Sequence, residues 1–174
     1  MERMICNTSG GLTSMALAVE LKKRGHNPIC IFANTGLENN ETLEFIDRCD
    51  KHFKLGVVWV EAVVNPKHNK GITHRETSFE YAYRNDQYKD KNHPYHAFVA
   101  KHGVPNQTYK QCSDRLKEIP IEHYKKTNSI HGLKHAIGMR SDEPNRVMSK
   151  KVRDLLERAG ISYDVFRSIE RHKQ

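Results

Sequence analysis

The chain has 174 residues, of which 37% are hydrophobic and 29% charged, and its net charge is +8. This length suits one domain, so we expect a single domain over residues 1–174. No apolar run approaches the roughly 20 residues of a membrane span, and the first residues lack a signal-peptide pattern, so we expect no membrane partner and a cytoplasmic location. The positive charge suits an anionic partner, which is a nucleotide, a nucleic acid or an acidic protein. Because the basic residues are spread along the chain, each cluster also fits a solvated helix surface, and charge alone does not indicate nucleic-acid binding.

The cysteines are scattered and form no C-x-x-C pair. They are Cys6, Cys30, Cys49 and Cys112. This spacing favours reduced thiols over a disulfide framework or a zinc ribbon.

Apolar segments alternate with helical periodicity in the first third of the chain. Residues 3–7 and 28–33 read as buried strands, and Gly25 ends the helix between them. The inward positions of this helix are predicted to be Leu12, Met15, Ala16 and Val19.

A second helix is predicted to begin at Asn39 or Asn40 and to be followed by a strand over residues 57–64. Its inner face is predicted to use Phe45, Ile46, Cys49 and Phe53. Strands that are apolar throughout and alternate with helices predict an α/β fold. We expect a mainly parallel, Rossmann-like sheet with helices on both faces.

The rest of the chain is less periodic. Residues 65–108 are polar and show no clear elements, which indicates either a functional insertion or lid, or regular elements that the pattern does not reveal. Ser113 is predicted to cap a helix through Lys117, and Pro120 to open another helix that reaches about Lys126. Residues 134–139 read as a fourth strand, and residues 147–174 as a helical tail.

Polar or glycine-containing residues follow three of these strands, at 9–11, 34–36 and 140–143. In parallel sheets such strand ends meet at one crevice, where ligands bind. Adjacent glycines before a helix N-terminus form a phosphate cradle, with hydroxyls at Ser9, Thr13 and Ser14 as donors. By itself, the same pattern also fits an ordinary strand-to-helix turn.

Four segments occur in the order of a known family. Ser9–Ser14 is similar to a S-G-G-K-D-S loop, and Phe32–Thr42 to a D-T-G-x-x-x-x-E-T signature. Cys112–Ile121 and Ile137–Arg146 are similar to the later Cys-Ser/Thr…Leu-Lys…Pro and G-x-R-x-x-E-x-x-R segments. Over residues 4–146 the chain therefore resembles the PP-loop adenine-nucleotide α-hydrolase superfamily, and within it the phosphoadenosine phosphosulfate (PAPS) reductase-like branch.

The resemblance implies that the chain binds an adenine nucleotide, ATP or PAPS, with Mg²⁺ as a further ligand. The residues that it implies for nucleotide binding are Ser9, Gly10, Gly11, Thr13, Ser14, Phe32, Asn34, Thr35, Gly36, Glu38, Arg115 and Arg146. The residues that it implies for catalysis are Arg140, Lys117, Cys112 and Glu143. Guanidinium groups suit phosphate or sulfate clamps. Glu143 either orients Arg140, binds a metal or merely begins a helix, and Cys112 is either a nucleophile or an inert thiol.

The chain departs from the family pattern at several positions. Leu12, Thr13 and Asn34 replace a Lys and two Asp residues of the motifs. Residues 160–174 contain no cysteine to attack sulfur, and Cys112 has no neighbouring cysteine, so we expect no iron–sulfur cluster. The spacing of the histidines matches no standard zinc pattern, so we predict no metal held by the protein alone.

Three functional hypotheses follow. The first is an enzyme that releases pyrophosphate from ATP by adenylating an acceptor, with tRNA or DNA as acceptors that suit the basic charge. The second is a sulfonucleotide enzyme that uses Cys112 or a partner thiol reductase. The third is a nucleotide-binding or sequestering module without catalysis. A homo-oligomer is compatible with each of them.

Overall fold

A computed structural model describes residues 2–67, 69–83, 93–106 and 111–138. Its core is a five-stranded sheet in the order β4-β3-β2-β1-β5. The strands are β1 (Arg3–Thr8), β2 (Asn27–Asn34), β3 (Val58–Val64), β4 (Ile72–Thr77) and β5 (His135–Ala136). The helices are α1 (Leu12–Lys23), α2 (Asn40–Phe53), α3 (Phe79–Ala82), α4 (Pro94–His102), α5 (Gln111–Ser113) and α6 (Ile119–Thr127), with a π-turn (Asp114–Glu118) between the last two.

The predicted α/β fold with a mainly parallel sheet is confirmed. Strand β1 pairs in parallel with β2 on one side and with β5 on the other, and β2 pairs in parallel with β3. Only β4, among the described strands, runs antiparallel to its neighbour β3. Since the chain moves outward from β1 to β3 and later returns to β5 on the opposite side, the topological switch point lies between β1 and β5.

Two apolar layers cover the sheet. One contains Met15 and Leu17 of α1 and Ile46 of α2, packed against the aromatic rings of Phe32 and Trp59. The second layer joins sheet residues to α6, and its buried members include Ile5, Ile31, Val60, Ile121 and Tyr124. The strands are therefore apolar on both faces, as the predicted fold requires.

The predicted inner faces of the first two helices are partly wrong. In α1 the buried residues are Ser14, Met15, Leu17 and Ala18, whereas Leu12 is 75% exposed. Leu12 is the first residue of the helix and lies in solvent, so this apolar side chain does not contribute to the core. In α2 the buried residues are Leu43 and Ile46, and Phe53, in the last turn, stacks edge-on against His52 with ring centroids 4.6 Å apart.

The sequence pattern of the polar stretch 65–108 reveals no clear elements, but its described part contains them. It holds β4, α3 and α4. The sequence signal of β4 is weak because an edge strand packs against one neighbour only; Ile72 is its one buried residue.

Two further boundaries differ from the predictions. Ser113 has helical backbone angles and its side chain makes no capping hydrogen bond, so it lies inside a helical segment that continues into α6. Pro120 does lie at the start of α6. The described part of the fourth parallel strand covers residues 135–136, and the predicted helical tail, residues 147–174, lies outside the described residues.

Within the part of the chain that the structure describes, no helix is long and apolar enough to cross a membrane.

A histidine pair joins β4 to α6 and predicts an acid-sensitive fold. The Nδ1 atoms of His74 and His123 lie 2.6 Å apart. Burial and the neighbouring His123 lower the pKa of His74 from 6.5, and Glu76 opposes this effect only in part. Because the unfolded chain then binds more protons than the folded chain, stability falls as pH drops below about 6.5.

We expect urea unfolding to show a lower free energy of unfolding at pH 5 than at pH 7.5, and His74→Gln to reduce this difference. Replacement of the exposed His131 by Gln is the control and should leave the difference unchanged. If the free energy of unfolding depended on pH equally in wild type and in His74→Gln, the histidine pair would not be the source of the acid sensitivity, and the prediction would be wrong.

Candidate functional site

The loop Ser9–Gly10–Gly11 carries the chain from β1 directly into α1. Gly10 has a φ of +77°, a backbone angle that non-glycine residues rarely adopt. A Cβ atom at Gly10 would lie 2.5 Å from Thr42 Cγ2 and 3.2 Å from Ile46 Cδ1. Gly10 is therefore required both for the turn and for the close packing of the loop on α2.

Hydroxyl groups brace this loop from within. The backbone N–H of Ser9 donates to Ser14 Oγ over 3.1 Å, and Ser14 Oγ donates to the Gly11 carbonyl over 3.0 Å. The hydroxyls of Ser9 and Ser14 lie 3.3 Å apart. Ser14, predicted to bind phosphate, is thus buried and holds the shape of the loop, while Ser9 lies exposed at its surface.

The N-terminus of α1 offers backbone donors at the same place. The N–H groups of the first helical turn have no acceptor within the helix. No side chain caps them at Gly11, and the first turn contains no acidic residue. A Cβ atom added at Gly11 would meet only Ser9 Oγ, at 3.6 Å, among the described residues. A 12-residue helix with uncapped amides and an open approach suits an anion.

A second loop, residues 34–38, follows β2. The Thr35 N–H and hydroxyl donate to the two carboxylate oxygens of Glu38 over 2.9 and 2.8 Å. The Thr35 hydroxyl also accepts from the Leu37 N–H. The predicted nucleotide-binding residues Thr35 and Glu38 therefore fix each other, and they give the loop a defined conformation.

Lys117 reaches this loop from the π-turn. Its Nζ lies 3.8 Å from Glu38 Oε1, and 48% of its side chain is exposed. The predicted catalytic lysine is thus placed beside the end of β2, with an ammonium group still accessible to a ligand.

A buried carboxylate that the sequence interpretation missed lies next to the predicted Asn34. The Asn34 amide donates to Glu61 Oε1 over 2.6 Å and accepts from the Gly36 N–H over 3.2 Å. Glu61 is fully buried in β3, and the guanidinium of Arg75 pairs with its other oxygen at 2.6 Å. The sequence does carry a signal for this contact, because Glu61 is the one charged residue of an otherwise apolar strand, VWVEAVV.

His93 is a second neighbour of this loop that the sequence did not predict. Its Nδ1 accepts from the His96 N–H, and its Nε2 lies 3.2 Å from the Gly36 carbonyl, which fits a neutral ring with the proton on Nε2. Gly36 has a φ of +81°, and a Cβ atom there would overlap the His93 ring. His93 thereby connects the start of α4 to the loop 34–38.

The chain just after β5 lies beside the start of α1. A Cβ atom at Gly138 would lie 3.2 Å from the Thr13 carbonyl oxygen, so the chain after β5 passes directly beside the start of α1. The predicted Arg140, Glu143 and Arg146 follow Gly138 in sequence and lie outside the described residues.

Three other predicted residues lie away from the glycine loop or inside the core. The Phe32 ring is buried and packs edge-on against Trp59, with centroids 4.9 Å apart. Cys112 packs against an apolar cluster that includes Phe98. Arg115 contacts Gln111 and His102. Their roles in binding or catalysis stay predictions.

Metal ligands do not cluster in the described ranges: no group of three or more His, Cys, Asp or Glu side chains there is arranged to hold a metal ion. The Mg²⁺ implied by the resemblance would accompany a nucleotide, and that role stays a prediction.

The Asn34–Glu61 contact predicts that Asn34→Asp destabilises the fold. The substitution replaces a donor by an acceptor beside a buried carboxylate, and we expect a loss of about 2–4 kcal/mol in the free energy of unfolding, measured with urea. Because Asn34→Asp combined with Glu61→Gln restores a donor–acceptor pair, the double variant should recover part of this loss. An unchanged stability of Asn34→Asp would contradict the observed hydrogen bond.

Comparison with known proteins places the chain in a family. Residues 3–93, just over half of the chain, match the phosphoadenosine phosphosulfate reductase domain. The chain is also 30% identical over 152 residues to the uncharacterized nin region protein ORF290 of Escherichia phage lambda, covering 84% of this chain and 51% of that protein. It therefore spans about half the length of this curated relative. No solved structure gives a significant match. The chain belongs to the phosphoadenosine phosphosulfate reductase domain family, within the PP-loop adenine-nucleotide α-hydrolase superfamily.

Proposed function

We propose that this protein binds an adenine nucleotide, ATP or PAPS, and acts at its phosphate or sulfate group. The observation that carries the proposal is the uncapped N-terminus of α1 behind Gly10 and Gly11, at the switch point of a parallel sheet. The family supports a nucleotide-related role, and the choice between ATP and PAPS is a matter for experiment.

In this proposal the first-turn amides of α1 hold phosphate oxygens, with the Ser9 and Thr13 hydroxyls as further donors. The loop 34–38, fixed by the Thr35–Glu38 contacts, forms the wall for the adenosine part. Lys117 stabilises negative charge on the transferring group from beside Glu38. Arg140 and Arg146 are proposed clamps for the phosphate or sulfate group; Gly138, two residues before Arg140 in the sequence, lies beside Thr13.

The position of Cys112 favours phosphate chemistry over thiol chemistry. Its side chain is half-buried and packs against an apolar cluster, whereas reactive cysteines lie in accessible, electropositive surroundings. We therefore favour nucleotidyl transfer from ATP. An oxygen of the acceptor forms a bond to the α-phosphorus, the bond to the bridging oxygen breaks, and pyrophosphate leaves. Mg²⁺ carried by the nucleotide would neutralise part of the negative charge on its phosphate groups.

A nucleotide-binding module without catalysis is the second candidate. It is favoured by Asn34, which replaces a carboxylate of the signature and whose amide is occupied by Glu61 and Gly36. Such a protein would bind the nucleotide and leave it unchanged.

One assay separates these functions. The protein is incubated with ATP or with PAPS, with and without Mg²⁺ and a thiol reductant, and the nucleotides are resolved by chromatography. AMP or an adenylated acceptor with pyrophosphate supports nucleotidyl transfer, and 3′-phosphoadenosine 5′-phosphate with sulfite supports sulfonucleotide reduction. Saturable binding with unchanged nucleotide supports the module. The absence of binding to either nucleotide would contradict the proposal.

The phosphate cradle is tested by substitutions at Gly11, where φ is −84° and side chains are tolerated. Both Gly11→Asp and Gly11→Asn place an N-cap residue on α1, so both variants should fold. The carboxylate of Gly11→Asp would repel a phosphate, and we expect it to weaken ATP binding by about thirtyfold, roughly 2 kcal/mol, beyond any effect of Gly11→Asn. Calorimetric titration measures this. Equal ATP affinity of the two variants would place the phosphates elsewhere.

A further inference from the structure

A cavity of about 460 Å³ opens beside the C-terminal end of α4 and the start of α5. Three basic side chains line it, from Lys101, His102 and Arg115, together with the amide side chains of Asn106 and Gln111. None of the described residues that line it is acidic. A concave surface with this charge attracts an anion and disfavours a cation.

The two strongest cations of this cavity, Lys101 and Arg115, have no carboxylate partner among the described residues. None of the ion pairs there includes either of them. The Lys101 ammonium instead donates to the backbone carbonyls of Asn65 and Lys70, each over 2.7 Å. These bonds hold the ammonium in place without neutralising its charge.

Arg115 is positioned by its neighbours. Its Nε donates to Gln111 Oε1 over 2.8 Å, and one terminal nitrogen lies 3.4 Å from His102 Nε2. A guanidinium fixed at one edge keeps its other N–H donors in a planar fork, which matches the oxygens of a phosphate, sulfate or carboxylate.

The π-turn lies between this cavity and the loop 34–38. Leu116, at the centre of the turn, is 1% exposed and anchors it in the core. On either side of it, Arg115 lines the cavity while Lys117 lies beside Glu38. Single-turn π-helices are frequent at functional sites. Because residues two positions apart point to different faces of a helix, the two cationic groups reach different places.

The remaining walls indicate the kind of molecule that fits. Val104 and Pro105 supply apolar surface, and Val104 is 73% exposed. A volume near 460 Å³ falls in the range of small-molecule sites. We propose that this cavity, with Arg115 as its central donor, binds a small organic oxyanion, a phosphate, sulfate or carboxylate group on an apolar or aromatic body.

Binding at this cavity is independent of the proposed nucleotide site. The two proposals are separated by their variants, because Gly11→Asp changes the glycine loop and leaves the cavity intact.

The test uses phenyl phosphate as the probe, with inorganic phosphate and phenol as its two halves, titrated into ¹⁵N-labelled protein. We expect phenyl phosphate to bind more tightly than either half and to shift the Arg115 Nε–H and Gln111 side-chain signals. Arg115→Gln should weaken binding about tenfold or more, and Arg115→Lys less. Arg24→Gln, which removes an exposed cation just after α1, is the matched control and should have no effect.

Retention of these shifts in Gly11→Asp, even if ATP binding is lost, would support a separate site. Failure of both ATP and PAPS to bind the wild type, while phenyl phosphate still binds, would overturn the proposed function alone. The absence of saturable phenyl phosphate binding, or equal weakening by Arg24→Gln and Arg115→Gln, would overturn the cavity proposal. The cavity proposal would also be overturned if a thymidine oligonucleotide bound in an Arg115-dependent way and phenyl phosphate did not, because the site would then select a polymer.

Discussion

The left-handed backbone at Gly10 is the constraint on which the candidate site depends. With a φ of +77° and no Cβ, Gly10 lets β1 turn into α1 while the loop packs against Thr42 and Ile46 of α2. The first amides of α1 are thereby placed at the carboxyl end of the central strands. A larger residue would have to move either the loop or α2, and the uncapped amides would then no longer face the crevice between β1 and β5.

A row of buried polar contacts fixes the neighbouring loop. Asn34 connects the loop after β2 to Glu61, whose charge is compensated by Arg75 from β4. This contact gives a structural reason for the departure from the family motif. An aspartate at position 34 would meet the buried Glu61 carboxylate, so the amide is the side chain that this sheet can accommodate. The edge strand β4 therefore contributes to the site through a charge, although β3 and β2 separate it from β1.

The parallel core and the glycine loop could be predicted from the sequence because they depend on local patterns: apolar runs, a paired glycine and a helical period. Strand β4 and helix α4 could not, since an edge strand and a short helix bury few residues. Glu61 and His93 were not predicted because their roles come from contacts with Asn34 and Gly36, which only the folded chain brings close. The π-helical turn that carries Arg115 and Lys117 was not predicted either, because such a turn has no clear sequence signal.

Binding of nucleotide phosphates by the amides at the start of α1 is tested most directly by nuclear magnetic resonance. The backbone N–H signals of the ¹⁵N-labelled protein are followed during titration with ATP and Mg²⁺. We expect saturable shifts that are largest from Gly10 to Ser14, with smaller shifts in the loop 34–38. Saturable shifts confined to other parts of the chain, or no saturable shifts at all, would contradict a phosphate site at this helix.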